Sequence, residues 1–490
     1  MNKTSEYTES ARSTFHGNDK VLWGIILGVV TFWLFAQTTL NIAPYMGRDL
    51  GLDASTMNSA VAVTALFSGI FIVVMGGLAD RVGRVRILKI GFYLSIAGSL
   101  LVAVAPGGGA AAAFLLCGRT LQGLSGACIM PASLALVKTY WMGAERQRAV
   151  SLWSIGSWGG SGLCALFGGL VTQNFGWRYI FWVSILVAVA GVALIREMPE
   201  SRAEGAAGKF DFAGVVTFMI AMVALQILVT QGDKLGWFSP YSLGLIALAA
   251  IFGFLFFRIE ERAPAAFVDF ALFKNSIFTG ATASNFLLNA VAGTQLVSLQ
   301  LVQLGGQLTA QQSGLLTLGY AVAIIGFIRV GEKLLQRHGS RKPMIWGCLI
   351  TGLSILLLMP TNLMLGNYKV LAVVAYTLFG VGLAFYATPS TDAALSSLPA
   401  AQAGAGSGIY KMASSLGAAF GVAISAAVFT AFSANSESIR WLEGVITFQG
   451  RQDNLGLREA ASLALALNVL MAVGAVVVIM FTVPKAREQR

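Results

Sequence analysis

The sequence predicts an all-α membrane protein of fourteen spans, built as two six-helix halves with two further helices between them. Three observations carry this. The 490-residue chain is 56% hydrophobic and only 11% charged, against about 25% charged for an ordinary soluble domain. Its apolar residues fall into runs long enough to cross a hydrocarbon core, which takes about 20 helical residues. Two basic turns of related spacing, one in each half, mark an internal repeat.

The apolar runs are 21–45, 57–79, 86–105, 111–137, 149–172, 177–195, 211–230, 241–258, 276–302, 312–330, 344–361, 370–394, 405–432 and 459–483. Placing the segment before the first run inside assigns each loop to a side. Of the 33 Lys and Arg residues, Arg48, Arg178, Lys234, Lys369, Arg440, Arg451 and Arg458 then fall outside. Arg119 and Lys411 fall within spans, which leaves 24 inside. Such a skew follows the positive-inside rule and puts both chain ends in the cytoplasm of a bacterial cell. The net charge of +11 therefore belongs at a membrane surface, and no nucleic-acid partner is expected. The first run is too long for a signal-peptide core, so no cleavage is expected. The organisation reads as a tail at 1–20, a six-helix half at 21–196, two added helices with linkers at 197–275, a second half at 276–483 and a tail at 484–490.

Residues 71–89, FIVVMGGLADRVGRVRILK, hold the most informative turn. One apolar helix ends near Ala79, Gly77, Asp80, Arg81, Gly83, Arg84 and Arg86 follow, and a second helix starts near Ile87. Gly83 permits a backbone geometry that a β-carbon penalises. Asp80 is suited to capping a helix or pairing with the arginines, at a depth where bare charge is costly. The segment RVGEKLLQRHGSRKPM at 329–344 echoes it: Arg337 matches Arg81, Gly339 matches Gly83, Lys342 matches Arg86, and Gln336 replaces Asp80. CIMPASLAL at 128–136 likewise echoes YATPSTDAAL at 386–395 through Pro131 and Pro389. Repeats of this kind build transporters that rock about a central site, so the two turns read as a conformational gate.

The string G-x-L-x-D-R-x-G-R-x-R resembles the loop 2–3 signature of the major facilitator superfamily. Arg119-x-x-Gln122-Gly123-x-x-Gly126-Ala127 resembles its span-4 motif. Gly168-Gly169 followed by Gly176-Trp177-Arg178-Tyr179-Ile180-Phe181 resembles the span 5–6 junction of its fourteen-helix drug:H+ antiporters. TFWLFAQTTLNIAP (31–44), SIGSWGGSGLCALFGG (154–169), TGATASNFLLNAVAGT (279–294) and GIYKMASSLGAAFGVA (408–423) are similar to quinolone pumps of the NorB type. The resemblance implies a proton-driven exporter of drugs, quinolones and cationic dyes among them, working by alternating access without a cofactor and as a monomer. Two departures stand out. Cys164-Ala165 replaces the antiporter motif's Gly-Pro, and span 1 has Ala36 and Gln37 where many such pumps carry an acid. They leave open a same-fold facilitator or H+ symporter of a metabolite.

Proton coupling needs a group that changes charge in the cycle, usually a carboxylate. The candidates are Asp392 and Glu332. Asp392 also reads, strongly, as a partner of Arg337 or Arg341 that stabilises one conformation at the mouth. Arg119, a permanent cation inside span 4, tunes the proton path or contacts substrate, or else ties to backbone carbonyls of a neighbouring helix. Trp33 with Gln37, Asn285 with Asn289, Gln122, Tyr386 and Lys411 are the other cavity candidates. Amides at i, i+4 serve a drug pocket or act as interhelical glue, and a lysine can snorkel. A cavity with a cation and few acids suits zwitterionic or anionic drugs.

Other chemistry lacks its residues. Cys117, Cys128, Cys164 and Cys348 form no C-x-x-C pair and read as buried small hydrophobes; His16 and His338 lie in polar segments, so no metal is expected. There is no G-x-x-x-x-G-K-[ST] loop for ATP, and no His, Asp or Glu cluster for an enzyme. The polar stretch 433–458 is an outside loop, either a short surface helix or a tolerated insertion.

Overall fold

The computed structural model describes residues 16–141, 145, 149, 152–153, 155–202, 211–263, 268, 270–398, 403–434, 447–450 and 453–485. Its regular elements are helical throughout these residues. In chain order they are α1 (Asp19–Leu50), α2 (Ala54–Val82), α3 (Arg84–Ala103), α4 (Ala111–Tyr140), α5 (Ile155–Asn174), α6 (Arg178–Leu194), α7 (Phe212–Leu235), α8 (Pro240–Glu260), α9 (Ser276–Gly305), α10 (Ala310–His338), α11 (Arg341–Leu358), α12 (Leu365–Ser396), α13 (Ala403–Ala434) and α14 (Leu455–Thr482). Thirteen are long and apolar enough to cross a bilayer, and α6, with 17 residues, is the shorter fourteenth. The protein is a multi-pass membrane protein.

The repeat seen in the turns extends to packing. In the first half α1 packs on α6, α2 and α3 on α4, and α3 on α6; in the second, α9 packs on α14, α10 and α11 on α12, and α11 on α14. The halves meet along α2–α13 and α5–α10. Glycines allow backbone contact in the second seam: a β-carbon at Gly169 would lie 2.1 Å from the Ala310 carbonyl oxygen, and one at Gly314 would lie 2.6 Å from that of Ala165. Small residues at such crossings let helices approach without a hydrophobic drive between them. Helix α7 packs on both α2 and α13, while α8 rests on α7 with Tyr241, Leu243, Ile251 and Phe254 exposed. That apolar face suits lipid.

Three local features depart from expectation. The first run was expected to end at 45, yet α1 continues through Pro44 to Leu50. Arg458, assigned above to an outside loop, lies inside the first turn of α14 and is 6% exposed. Its guanidinium donates to the carbonyls of Thr361 (2.6 Å), Gln449 (2.9 Å) and Leu363 (3.1 Å), which is how a cation is tolerated there. Cys117 is exposed rather than buried, unlike the other three cysteines. Residues 435–446 of the expected outside loop lie outside the described residues.

Gly83 has φ +134° and Gly339 φ +69°, so both basic turns pivot on a glycine in a backbone region costly for other residues. Behind Gly83, Glu200 closes the start of α3. Its carboxylate accepts from the backbone N–H of Val85 (2.8 Å) and Arg86 (3.0 Å), the helix donors that lack intrahelical partners. The backbone N–H of Arg84 donates to the Ser201 carbonyl at 2.9 Å. Removing the carboxylate in Glu200→Ala is expected to cost about 1 kcal/mol, the usual worth of a helix N-cap. Purified protein should show a lowered thermal midpoint, and an unchanged midpoint would remove the cap from the account.

Candidate substrate cavity and its two ends

A cavity of about 780 Å³ lies between the halves. Its inner wall includes Trp33, Gln37, Leu40 and Val61 from the first half and Asn285, Asn289, Gln295, Tyr386 and Lys411 from the second. It runs to Gly77, Arg81, Arg84, Thr139 and Asp211, at the face where α1 begins and α14 ends. This is the proximal face below, and its opposite the distal face.

The distal end is shut by buried polar side chains that cross between the halves. Asn41 of α1 donates through Nδ2 to the carbonyls of Ala165 (2.6 Å) and Ala310 (3.0 Å). Its Oδ1 accepts from Gln303 Nε2 (2.7 Å) and Ser313 Oγ (3.0 Å), on α9 and α10. The Ala310 N–H donates to the Tyr45 hydroxyl at 3.0 Å. A second set joins Gln300 Nε2 to Asn58 Oδ1 (3.0 Å) and Asn58 Nδ2 to Thr430 Oγ1 (3.2 Å). Sequence reading missed all of these; the available signal was an isolated amide near the end of an apolar run.

At the proximal end the bonds among the described residues do not cross between the halves. Arg84 Nη1 donates to Thr139 Oγ1 of the first half (2.9 Å) and to Ser201 Oγ of the linker that follows it (3.2 Å). In the second half Arg341 Nη2 donates to the Met480 carbonyl at 2.9 Å. Arg337, Lys342 and Glu332 are exposed, and no hydrogen bond among the described residues joins the two basic turns. Gly77 and Arg81 lie on the cavity wall; the Asp80 side chain lies outside the described residues.

The inner wall is locally irregular. Helix α1 carries a π turn at Thr31–Phe35 and a 3-10 turn at Ala36–Thr38, and α5 another π turn at Ile155–Gly159. Such turns widen or tighten the helix where a site needs it. Trp33 and Gln37 both reach the cavity from this stretch, with Trp33 Nε1 donating to Met130 Sδ at 3.3 Å. Asn285 faces the cavity and also ties α9 to α13, donating to the Tyr410 carbonyl (2.9 Å) and Ser414 Oγ (2.6 Å). Asn289 donates to Asn285 Oδ1 at 2.9 Å. The pair thus holds both places considered above. Tyr386 shares a hydrogen bond with Ser284 Oγ at 2.8 Å.

Arg119 and Gln122 do not line the cavity. Arg119 is fully buried, with Nε donating to the Ala60 carbonyl (2.9 Å) and Nη1 to the Ala36 carbonyl (2.6 Å) and Gln122 Oε1 (2.7 Å). Gln122 Nε2 passes the chain on to Ser99 Oγ at 3.2 Å. Of the two placements weighed for Arg119, this geometry is the tie to neighbouring backbone. Asp392 is exposed, accepts from Ser396 Oγ at 3.0 Å, and forms no ion pair with Arg337 or Arg341 among the described residues. Among the described residues the carboxylate on the cavity wall is instead Asp211, which sequence reading left out; it caps α7 by accepting from the Gly214 N–H at 2.8 Å.

A family profile described as Major Facilitator Superfamily matches residues 25–422. The chain belongs to the major facilitator superfamily. Among curated relatives, the Quinolone resistance protein NorB of Staphylococcus aureus, strain MRSA252, is 44% identical over 479 residues, 98% of each chain. The NorB of strain COL matches at the same identity and coverage. The fold is shared with much more distant solved structures. A D-xylose-proton symporter covers 95% of this chain and 97% of its own at a TM-score of 0.62 and 16% identity. An inward-facing, unoccupied bacterial homolog of the human lysosomal transporter Spinster covers 95% and 98%, at a TM-score of 0.63 and 16% identity.

In this member of the superfamily, Ala165 stands at a departure from the antiporter motif. Its carbonyl accepts from Asn41 and faces Gly314, so the altered site is part of the distal closure. Removing the amide should loosen that closure. With Gln37→Cys as the reporter in a background lacking the native cysteines, Asn41→Ala is expected to raise labelling by an impermeant maleimide from the distal side severalfold. Equal labelling with and without Asn41 would show that the network does not hold the distal end shut.

Proposed function

We propose that this protein exports amphipathic drugs, quinolones among them, across a bacterial cytoplasmic membrane in exchange for protons. The observation that carries the reading is the central cavity, closed distally by bonds between the halves and open proximally. Its apolar and aromatic wall carries a few placed amides, a composition that suits flat drugs of varied shape. The NorB relatives, quinolone resistance proteins over nearly their whole length, support the cargo. The Lys and Arg skew assigns the proximal face to the cytoplasm. Drug enters there, the halves rock about the site, and the distal network opens.

The proton is carried by a carboxylate near the proximal mouth: Asp392 or Glu332, exposed on α12 and α10, or Asp211 on the cavity wall. The basic turns, with Gly77, Arg81, Arg84, Gly339 and their neighbours, form the gate at that mouth. The cycle needs no cofactor and no ATP, and the monomer is its unit.

Liposomes with an imposed pH gradient test the function directly. Uphill flux of norfloxacin and ethidium, abolished by an uncoupler, is expected; flux that runs only downhill would favour a metabolite facilitator. Among Asp392→Asn, Glu332→Gln and Asp211→Asn, at least one should lose gradient-driven transport while keeping downhill exchange. Full gradient-driven transport in all three would place the proton elsewhere.

A further inference from the structure

Among the described residues the cavity wall holds three cations, Arg81, Arg84 and Lys411, and one carboxylate, Asp211. Arg81, Arg84 and Asp211 sit at the proximal mouth. Arg84 is occupied by Thr139 and Ser201, and Asp211 by the Gly214 N–H. Lys411 stands apart from them. It lies eight residues into α13, about 12 Å along the helix at 1.5 Å per residue, on the wall that Asn285, Asn289 and Ser414 also line.

Among the described residues Lys411 has no hydrogen bond and no ion pair; its Nζ lies 6.0 Å from the centre of the Tyr410 ring. The contrast with the buried guanidinium groups is sharp. Arg119 and Arg458 each have at least three hydrogen bonds to protein oxygens. A half-buried ammonium with three donors and no protein acceptor requires another source of negative charge or water. The turn that carries it is fixed: Asn285 binds the Tyr410 carbonyl just before it and Ser414 Oγ three residues after it. An aromatic body would find Trp33, Phe32, Tyr320 and Phe379 across the same space.

We infer that Lys411 is the anion subsite of this cavity, and that the favoured cargo is an aromatic carboxylate whose carboxyl group pairs with its ammonium. This deepens the drug-export reading and rests on it. A charge-assisted hydrogen bond formed only with the carboxylate gives chemical selectivity. A cation without a carboxylate gains nothing at Lys411 and is bound by the aromatic wall alone.

The test compares norfloxacin with its methyl ester, which keeps the ring system and removes the anion, with ethidium as a cation of similar size. Binding to full-length protein in nanodiscs is followed by tryptophan quenching, and flux is measured in the same liposomes as above. The wild type is expected to prefer the acid to the ester by about tenfold, equivalent to about 1.4 kcal/mol. Lys411→Gln should bind acid and ester alike and keep ethidium binding and flux; Lys411→Arg should restore the preference. An acid preference that survives in Lys411→Gln overturns the proposal while leaving drug export standing. Loss of norfloxacin, ester and ethidium together in Lys411→Gln, with an unchanged thermal midpoint, assigns the lysine a general role and also overturns it. Absence of uncoupler-sensitive flux of any of the three in the wild type removes the export reading and this inference together.

Discussion

A polar group buried at membrane depth must find its partner within the protein, because lipid offers none. The arrangement around Asn41 is the strictest case of that constraint here, and the resting shape of the molecule depends on it. Its amide has both donors and its carbonyl oxygen engaged, and the partners come from α5, α9 and α10. The three bonds to α9 and α10 exist only while the distal ends of the halves are in contact. The α5–α10 glycines permit that contact, since β-carbons at 169 and 314 would collide with opposing backbone. Small residues supply the approach and the amide supplies the specificity. The proximal opening of the cavity is the geometric complement of this closure.

The two ends differ in where their bonds run. Distally, Asn41, Asn58, Gln300 and Gln303 bond across the halves. Proximally, among the described residues, Glu200 of the linker bonds to the first-half turn, Arg84 to Thr139 and Arg341 within the second half, and no bond ties one basic turn to the other. A body built this way can separate proximally with its turns intact, and it must break a defined set of amide bonds to separate distally. Interhelical hydrogen bonds in membranes are worth about 0.6 kcal/mol each, so the set is strong enough to favour one state and weak enough to be exchanged for another.

The fold was legible because its signals are local and repetitive. Span length, the Lys and Arg skew, and the Gly83 and Gly339 turns each follow from short windows of sequence, and each expected span overlaps one helix, with several ends displaced. The site was only half legible. Trp33, Gln37, Asn285, Asn289, Tyr386 and Lys411 reach the cavity, as expected of polar and aromatic residues in apolar runs. Arg119 and Gln122 have the same signature and do not, because a guanidinium can be satisfied by the carbonyls of Ala36 and Ala60 as well as by a ligand. No local pattern distinguishes these cases. The π and 3-10 turns of α1 and the Glu200 cap were equally hidden, since both depend on contacts made far along the chain.

The two added helices belong to this account rather than standing outside it. Helix α7 packs on both α2 and α13, the pair forming the seam opposite α5–α10. Its distal end is bonded to the first half, with Gln231 Nε2 donating to Ser59 Oγ at 2.8 Å. Its proximal end places Asp211 and Val215 on the cavity wall. When α2 and α13 diverge proximally, the gap between them faces the bilayer, and a polar cavity open sideways to lipid would leave wall groups without partners. Helix α7 fills that gap and α8 covers α7 with an apolar outer face. The added hairpin therefore covers the α2–α13 seam on its lipid side, and it sets the carboxylate of Asp211 on the cavity wall at the proximal end.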